Sequence, residues 1–260
     1  MHTSRARAYD AHVGTDTFPA AAVEWLAPAR VGETLAVGVA SGSTARRLVG
    51  AGQTITVVDH DVPALVRQRR MSRWRRAIAA RPDALPFTTG TFETIVVANN
   101  MDALTAKLAP RELARVLVRG GRLAVQATSR DDSVPWVRRL AAIMRRVDPA
   151  AMTSRADTAA LAGLADSPFF MNVEHREFRM WVPMSKDGLL NQVAQNEKVS
   201  TLTSAEVADV LDEISQLYDS SARAPEPLLL PYTVACWRAE ANYISLSPTP
   251  TTSHGFTISF

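Results

Sequence analysis

The sequence predicts an α/β fold, a doubly wound and mostly parallel sheet with helices on both faces. Two observations carry that reading. Short β-branched apolar runs alternate with helix-like stretches of about 10–15 residues, the rhythm of βαβ units. The runs are also almost continuously apolar, as strands covered on both faces must be. A chain of 260 residues with 47% apolar and 21% charged side chains can build an ample core and is not composed like a disordered one. One elaborated domain is expected, without internal repeats.

The elements follow in order. Leu35–Ala40 is a short apolar strand, followed by a Gly/Ser turn and a helix-like Thr44–Gly50. Thr54–Val58 is a β-branched strand ending at Asp59, and an arginine-rich helix is expected from Pro63 to Ala79. Another strand should lie just before Asp83, where only Ile78-Ala79-Ala80 is available. Ile95–Ala98, opened by Phe92, is a clear strand. Pro110 suits the first turn of a helix over Glu112–Val118, with Gly120-Gly121 as its stop. Leu123–Val125 is the next strand and Val134–Val147 the next helix. Beyond these, Thr158–Leu164 and Ser204–Leu217 look helical, the latter with Val207, Val210, Leu211, Ile214 and Leu217 at helical spacing. Phe178, Met180 and Val182 alternate with polar neighbours, as do residues around Leu230–Trp237; these suit an antiparallel pair at the sheet edge. The Ser/Thr/Pro-rich stretch Ser245–Phe260 reads as a loosely held tail.

Composition excludes several functions. A single cysteine, Cys236, rules out an internal disulfide framework and any multi-cysteine metal site. No apolar run approaches the ~18 residues of a membrane span, and the N-terminus lacks the apolar core of a secretory signal, so a cytoplasmic protein is expected. Only Lys107, Lys186 and Lys198 of the 29 basic residues are lysine, and the net charge is +3. Six arginines fall between Arg67 and Arg76, around Trp74. They suit an anionic partner such as RNA, but at this net charge an exposed helix face is the plainer account, and nucleic acid is not the expected partner.

The chemistry-bearing residues begin at Gly38-Val39-Ala40-Ser41-Gly42, between the first strand and the first helix. There a glycine turn lets backbone N–H groups approach a nucleotide-like ligand, although a ligand-free tight turn reads the same way. No lysine follows the second glycine, so this is not a P-loop. Asp59, ending the second strand, stands where a carboxylate accepts hydrogen bonds from ribose hydroxyls, with His60 beside it; a helix cap or turn is the alternative. These residues alone do not separate a nicotinamide cofactor from S-adenosylmethionine. No Ser-His-Asp set and no metal-binding motif is visible among His2, His12, His60, His175 and His254. His175 suits a cross-strand contact, and Cys236 a buried core thiol.

Three further stretches resemble a family. They are Asp83-Ala84-Leu85-Pro86-Phe87 leading to Phe92–Val97, Leu113–Leu117 with Gly120–Leu123, and Thr128–Arg139. The chain resembles class I S-adenosylmethionine-dependent methyltransferases, in particular the small type 11 group frequent in actinobacteria. The likeness extends to Asp187–Leu190, Leu217–Asp219 and Leu230–Tyr232, so it spans roughly residues 8–240. It implies a Rossmann-like sheet of seven strands, the last antiparallel, with S-adenosylmethionine over the carboxyl ends of the first strands and S-adenosylhomocysteine as product. Carried over residue by residue, Gly38, Ala40, Ser41 and Gly42 would pass under the methionine part, and Asp59 with His60 would lie at the ribose. Asp83 and Ala84 would fall near the adenine, and Asn99 with Met101 near the transferable methyl. The resemblance divides the chain into an N-terminal helical arm (1–30), a cofactor-binding core (31–150), substrate-side helices with the closing sheet edge (151–240) and a tail (241–260).

The chain departs from the family in specific places. Ala36 stands where an acidic residue precedes the first glycine, and Ala40 replaces the middle glycine. The usual adenine-reading aspartate aligns with Arg81, and Asp83 fills the role only across a shorter loop. Tyr9-Asp10-Ala11-His12 opens like the family's substrate-side arm but continues as Val13–Thr17. Asp131 and Asp132 lie where a general base could act, with the cap of the following helix as the alternative. Methyl transfer to a small-molecule acceptor is the expected function. A catalytically inactive relative is the alternative, and an RNA methyltransferase a more distant one.

Overall fold

The computed structural model describes residues 18–26, 32–39, 41–49, 54–71, 76–149, 163–196, 198–222 and 227–246. A short helix, α1 (Ala20–Leu26), leads into β1 (Thr34–Val37), α2 (Ser41–Val49), β2 (Ile55–Asp59), α3 (Val62–Met71) and β3 (Arg76–Ala79). Then come β4 (Phe92–Ala98), α4 (Asp102–Thr105), α5 (Ala109–Val116), β5 (Leu117–Arg130) and α6 (Pro135–Val147). The remainder is β6 (Phe170–Met184), α7 (Lys186–Ala194), a 3-10 turn (Val199–Thr201), α8 (Ser204–Ser221), β7 (Leu228–Ala241) and α9 (Tyr243–Leu246).

The seven strands form one sheet in the order β3-β2-β1-β4-β5-β7-β6. Neighbours from β3 to β5 pair in parallel, whereas β7 runs antiparallel to both β5 and β6. This is the mostly parallel, doubly wound sheet that the alternating pattern predicts. Its apolar strands serve two cores. Ala36, Val57, Val96 and Ala124 face a layer with Ala22, Leu26 and Ala45 and with Leu140, Ile214 and Leu217 of the later helices. Leu35, Val37, Val58, Ile95, Val97 and Val125 face the opposite layer with Leu104, Leu113 and Val116. Ile214 and Leu217 on α8 are buried at the predicted helical spacing, each removal from water stabilising by about 1.5–3 kcal/mol. A capping box starts α8: Thr203 Oγ1 accepts from Glu206 N, and the Glu206 carboxylate accepts from Thr203 N.

Several sequence expectations change. The arginine-rich helix stops at Met71, and Arg76–Ala79 is the missing edge strand, pairing with Thr56–Asp59. Helical spacing there yields to the ladder that β2 offers. Gly120-Gly121 does not end a helix in a loop. Both lie inside β5, where the pairing with β4 shifts between Phe92 and Thr94. Gly120 has φ +75°, and a Cβ on Gly121 would lie 2.9 Å from Val118 O and 3.1 Å from Glu93 O, so the glycines form a bulge. Helix α6 starts without a side-chain cap; Asp131 instead accepts from Ser133 N at 3.0 Å, and Asp132 lies 3.7 Å from Arg145. The arm beyond 18–26, most of Thr158–Leu164, residues 72–75 of the arginine cluster and most of the tail lie outside the described residues.

Gly121→Ala should destabilise the fold by about 1–3 kcal/mol, because Cβ meets backbone that can only shift as a unit. Chemical denaturation against the wild type measures it, and an unchanged midpoint would mean the bulge relaxes freely.

Candidate functional site

Sheets wound in this way bind ligands outside the carboxyl ends of their strands, at the switch point in strand order. Here that point lies between β1 and β4, and most of the residues singled out from the sequence gather around it. Gly38 follows β1 with φ +89°, donates its N–H to Val58 O at 2.7 Å and accepts from Ser41 N at 3.0 Å. Val39 N donates to Asp59 Oδ2 at 3.0 Å, so the carboxylate ending β2 holds the turn ending β1. Asp59 Oδ1 also accepts from Asp61 N at 2.9 Å, and the Asp59 side chain is only 4% exposed. The cap of α3 is a different residue, Asp61, whose Oδ1 accepts from Ala64 N at 2.9 Å. His60 is exposed, with Nδ1 at 3.4 Å from Asp59 Oδ1. Ala40 lies outside the described residues, and Gly42 is the second residue of α2.

Ser41 is fully buried. Its Oγ donates to Val37 O at 2.6 Å and accepts from Ala98 N at 2.8 Å, joining the ends of β1 and β4 to the first turn of α2. Asn99, at φ +49°, accepts on Oδ1 from Thr128 N at 2.7 Å and ties β4 to β5. Met101 is buried in the apolar layer with Leu104 and Leu113. Asp83 lies on an exposed turn where Arg81 grips it through two hydrogen bonds of 2.9 Å. That guanidinium holds the Asp83 carboxyl below its usual range, and Ala84 closes the turn by donating to Arg81 O at 3.1 Å. Ala36, where the resemblance calls for an acid, is fully buried in the layer shared with α1 and α2; a carboxylate there would be desolvated.

Sequence reasoning missed three features. Asn100 lies over Gly38: its Nδ2 donates to Val37 O at 3.3 Å and sits 2.4 Å from where a Cβ on Gly38 would be. A buried polar chain then runs from Thr44 Oγ1 to Gln126 Oε1 at 3.3 Å and from Gln126 Nε2 to Thr128 Oγ1. A lone glutamine inside the apolar run Leu123–Ala127 was the available signal. The third is a clamp. Arg115 donates to both carboxylate oxygens of Glu112 (2.7 and 2.8 Å), to Phe87 O at 2.7 Å and to Leu85 O at 3.1 Å. Glu112 in turn accepts from Leu85 N at 3.2 Å. The Leu85-Pro86-Phe87 and Leu113–Leu117 motifs are therefore two halves of one contact, which fixes the loop after Asp83 to α5.

Cys236 is buried, and desolvation pushes its thiol up to about 12, which excludes a thiolate nucleophile at neutral pH. His175 stacks on Trp237, its cross-strand partner, at 4.5 Å between ring centroids. No group of three or more potential metal ligands occurs among the described residues, and no described helix is long and apolar enough to cross a membrane.

Comparison with known proteins agrees with this fold. Residues 35–125, from β1 into β5, match the family described as "Methyltransferase domain". Uncharacterized methyltransferases of Mycobacterium tuberculosis and Mycobacterium bovis are each 27% identical over 229 residues, covering 87% of this chain and 90% of theirs. The fold resembles that of a putative type II methyltransferase from Anaeromyxobacter dehalogenans, with a TM-score of 0.58 and 20% identity over 86% of this chain and 97% of that one. The family match thus covers the β1–β5 core, and the relatives and the shared fold extend the likeness over most of the chain.

The clamp makes a pH prediction. Arg115 holds the Glu112 carboxyl below its usual range, so its contribution to stability is complete above the ordinary carboxylate pKa and is lost as pH falls through the depressed value. Glu112→Gln should lower stability near neutral pH and flatten the acid limb of a melting-temperature profile. Parallel profiles for the two proteins would disprove the linkage. Arg115→Ala removes charge-assisted bonds and should cost about 1.5–3 kcal/mol, measurable by denaturation.

Proposed function

We propose that this protein is an S-adenosylmethionine-dependent methyltransferase acting on a small-molecule acceptor. The observation that carries the proposal is the bond from Val39 N to Asp59 Oδ2. It fixes a left-handed glycine turn and a strand-ending carboxylate together at the switch point of a methyltransferase-family sheet. The residues present suit an adenosyl ligand in that crevice. Gly38 takes φ +89°, a left-handed turn that side chains rarely adopt, so backbone without a Cβ borders the crevice. A carboxylate oxygen accepts more than one hydrogen bond, so Asp59 can meet ribose hydroxyls while it holds the turn.

Bound there, S-adenosylmethionine would supply an activated methyl carbon, transferred as the acceptor–carbon bond forms and the carbon–sulfur bond breaks. The chain's part is to hold and align, which can lower a barrier by up to about 7–11 kcal/mol. Gly38 and Val39 would carry the methionine part, Asp59 and His60 the ribose, and the loop that Arg115 clamps would border the adenine. The Asp83 carboxylate is engaged by Arg81, so the adenine would meet this loop mainly through backbone and apolar atoms. Helices α7 and α8, which interrupt the parallel pattern, would shape the acceptor side.

One observation favours a second reading, a family member that binds without transferring. The Asn100 side chain lies over Gly38, where the methionine part would rest. Under the first reading this side chain swings aside on binding.

Calorimetric titration with S-adenosylmethionine and S-adenosylhomocysteine tests both readings. Wild type should bind each, Asp59→Asn should bind roughly ten- to a hundredfold more weakly, and Asn100→Ala should bind more tightly. Melting curves for each variant separate lost binding from lost fold. Binding by Asn100→Ala without binding by wild type would select the second reading. Failure of every folded variant to bind either ligand would falsify the adenosyl site altogether.

A further inference from the structure

We infer that β6 pairs edge to edge with β6 of a second copy of this chain, across a two-fold axis at Phe178, with Glu177 of each copy opposite Arg179 of the other. β6 is the outermost strand of the sheet, and beyond the shift between Met171 and Glu174 its pairing with β7 is regular from Glu174 to Met184. No further strand adjoins it among the described residues. So long an edge presents a row of backbone groups to any chain that fits it.

The ladder shows which groups face outward. Asp131 N donates to Pro231 O at 3.0 Å, so the odd-numbered residues of β7 turn their backbone toward β5. Asn242 N donates to Phe169 O at 2.8 Å, so the even-numbered ones turn toward β6. In an antiparallel ladder this alternation carries across each pair. His175, Glu177, Arg179 and Trp181 stand opposite Trp237, Ala235, Thr233 and Pro231, and so direct their N–H and C=O groups to the free edge. Pro183 belongs to the same outward set, at the position where a missing donor disturbs nothing within the chain.

Two copies of one strand, antiparallel about a two-fold axis, set one residue opposite its own image, so naming that residue names the register. An axis at Arg176, Glu177 or Arg179 sets like charges face to face, which destabilises the pair. An axis at His175 runs into the bulge at Asn172, which has φ +53°. An axis at Met180 places Glu177 against Pro183, which has no donor. At Phe178 the conflicts vanish. Glu177 meets Arg179 twice by symmetry, and His175, already stacked on Trp237, meets the indole of Trp181, which is 45% exposed in one copy. Phe178 faces Phe178 on the other side of the sheet, and Pro183 falls just outside the span from Glu174 to Val182. The residues in hydrogen-bonding positions in this register are the ones whose backbone points outward, so each such pair can exchange two bonds.

Light scattering coupled to size exclusion, run on the full chain over a range of concentrations, tests the pairing. Wild type should be a dimer. Glu177→Arg, at a side chain 61% exposed, should weaken the dimer roughly tenfold or more, while its melting temperature equals that of wild type at dilutions where both are monomeric. The double variant Glu177→Arg/Arg179→Glu restores opposite charges across this register alone and should dimerise like wild type. A wild type that is monomeric at every concentration overturns the proposal, and the charges then guard a free edge. A dimer indifferent to Glu177→Arg, or a double variant that stays monomeric, overturns it as well.

Discussion

Where the strands of this sheet end, their backbone groups lose the ladder, and the structure depends on how those groups are met. Ser41 takes the Val37 carbonyl and the Ala98 amide with one hydroxyl. Asp59 takes the amides of Val39 and Asp61, and Asn99 takes that of Thr128. Each bond contributes only about 0.5–1.5 kcal/mol net, but a buried amide left without a partner costs more than its bond gains. These side chains therefore fix the paths of the chain as it leaves β1, β2 and β4. The crevice proposed to hold the cofactor is the space between those paths.

In the proposed site, structure and ligand binding would draw on the same atoms. The Ser41 hydroxyl is occupied within the fold and would help a ligand only by shaping the turn. Asp59 can do both because a carboxylate accepts several bonds. Asp83 is held by Arg81, which leaves the adenine side to the loop that Arg115 and Glu112 tie down. A rigid loop with few polar contacts orders little on binding, and that offsets part of what a direct carboxylate contact would add.

The far side of the sheet obeys a different constraint. Inserting β7 between β5 and β6 reverses direction twice, so the closing strands pair with antiparallel geometry and β6 reaches the edge. Its inner face packs Met180, Val182 and Met184 into the core, while Glu174, His175, Glu177 and Arg179 remain outside. Charges on an edge strand either repel a neighbour or select one. The order Glu177-Phe178-Arg179 is complementary to itself in one antiparallel register, which turns an edge into a specific surface.

Local chemistry determined much of this protein. Apolar strands between helices, Asp59 at a strand end and helical spacing along Ile214 and Leu217 are each readable over a few residues, because burial on both faces and helix periodicity are local patterns. The region after Pro63 shows where that stops: Arg76–Ala79 is a strand only because β2 offers it a ladder. Gly120-Gly121 likewise reads as a helix stop until β4 is placed beside it. The role of Asn100 was hidden for the same reason, since its partner Gly38 is more than sixty residues away and no periodicity links them. Tertiary structure also decided that Ser41 and Asp59 hold the backbone, because which amide lacks a partner depends on which strands end together. The sequence by itself determined most of the elements and the candidate residues at the strand ends, and only packing decided the edge strand, the bulge and which side chains the fold would claim first.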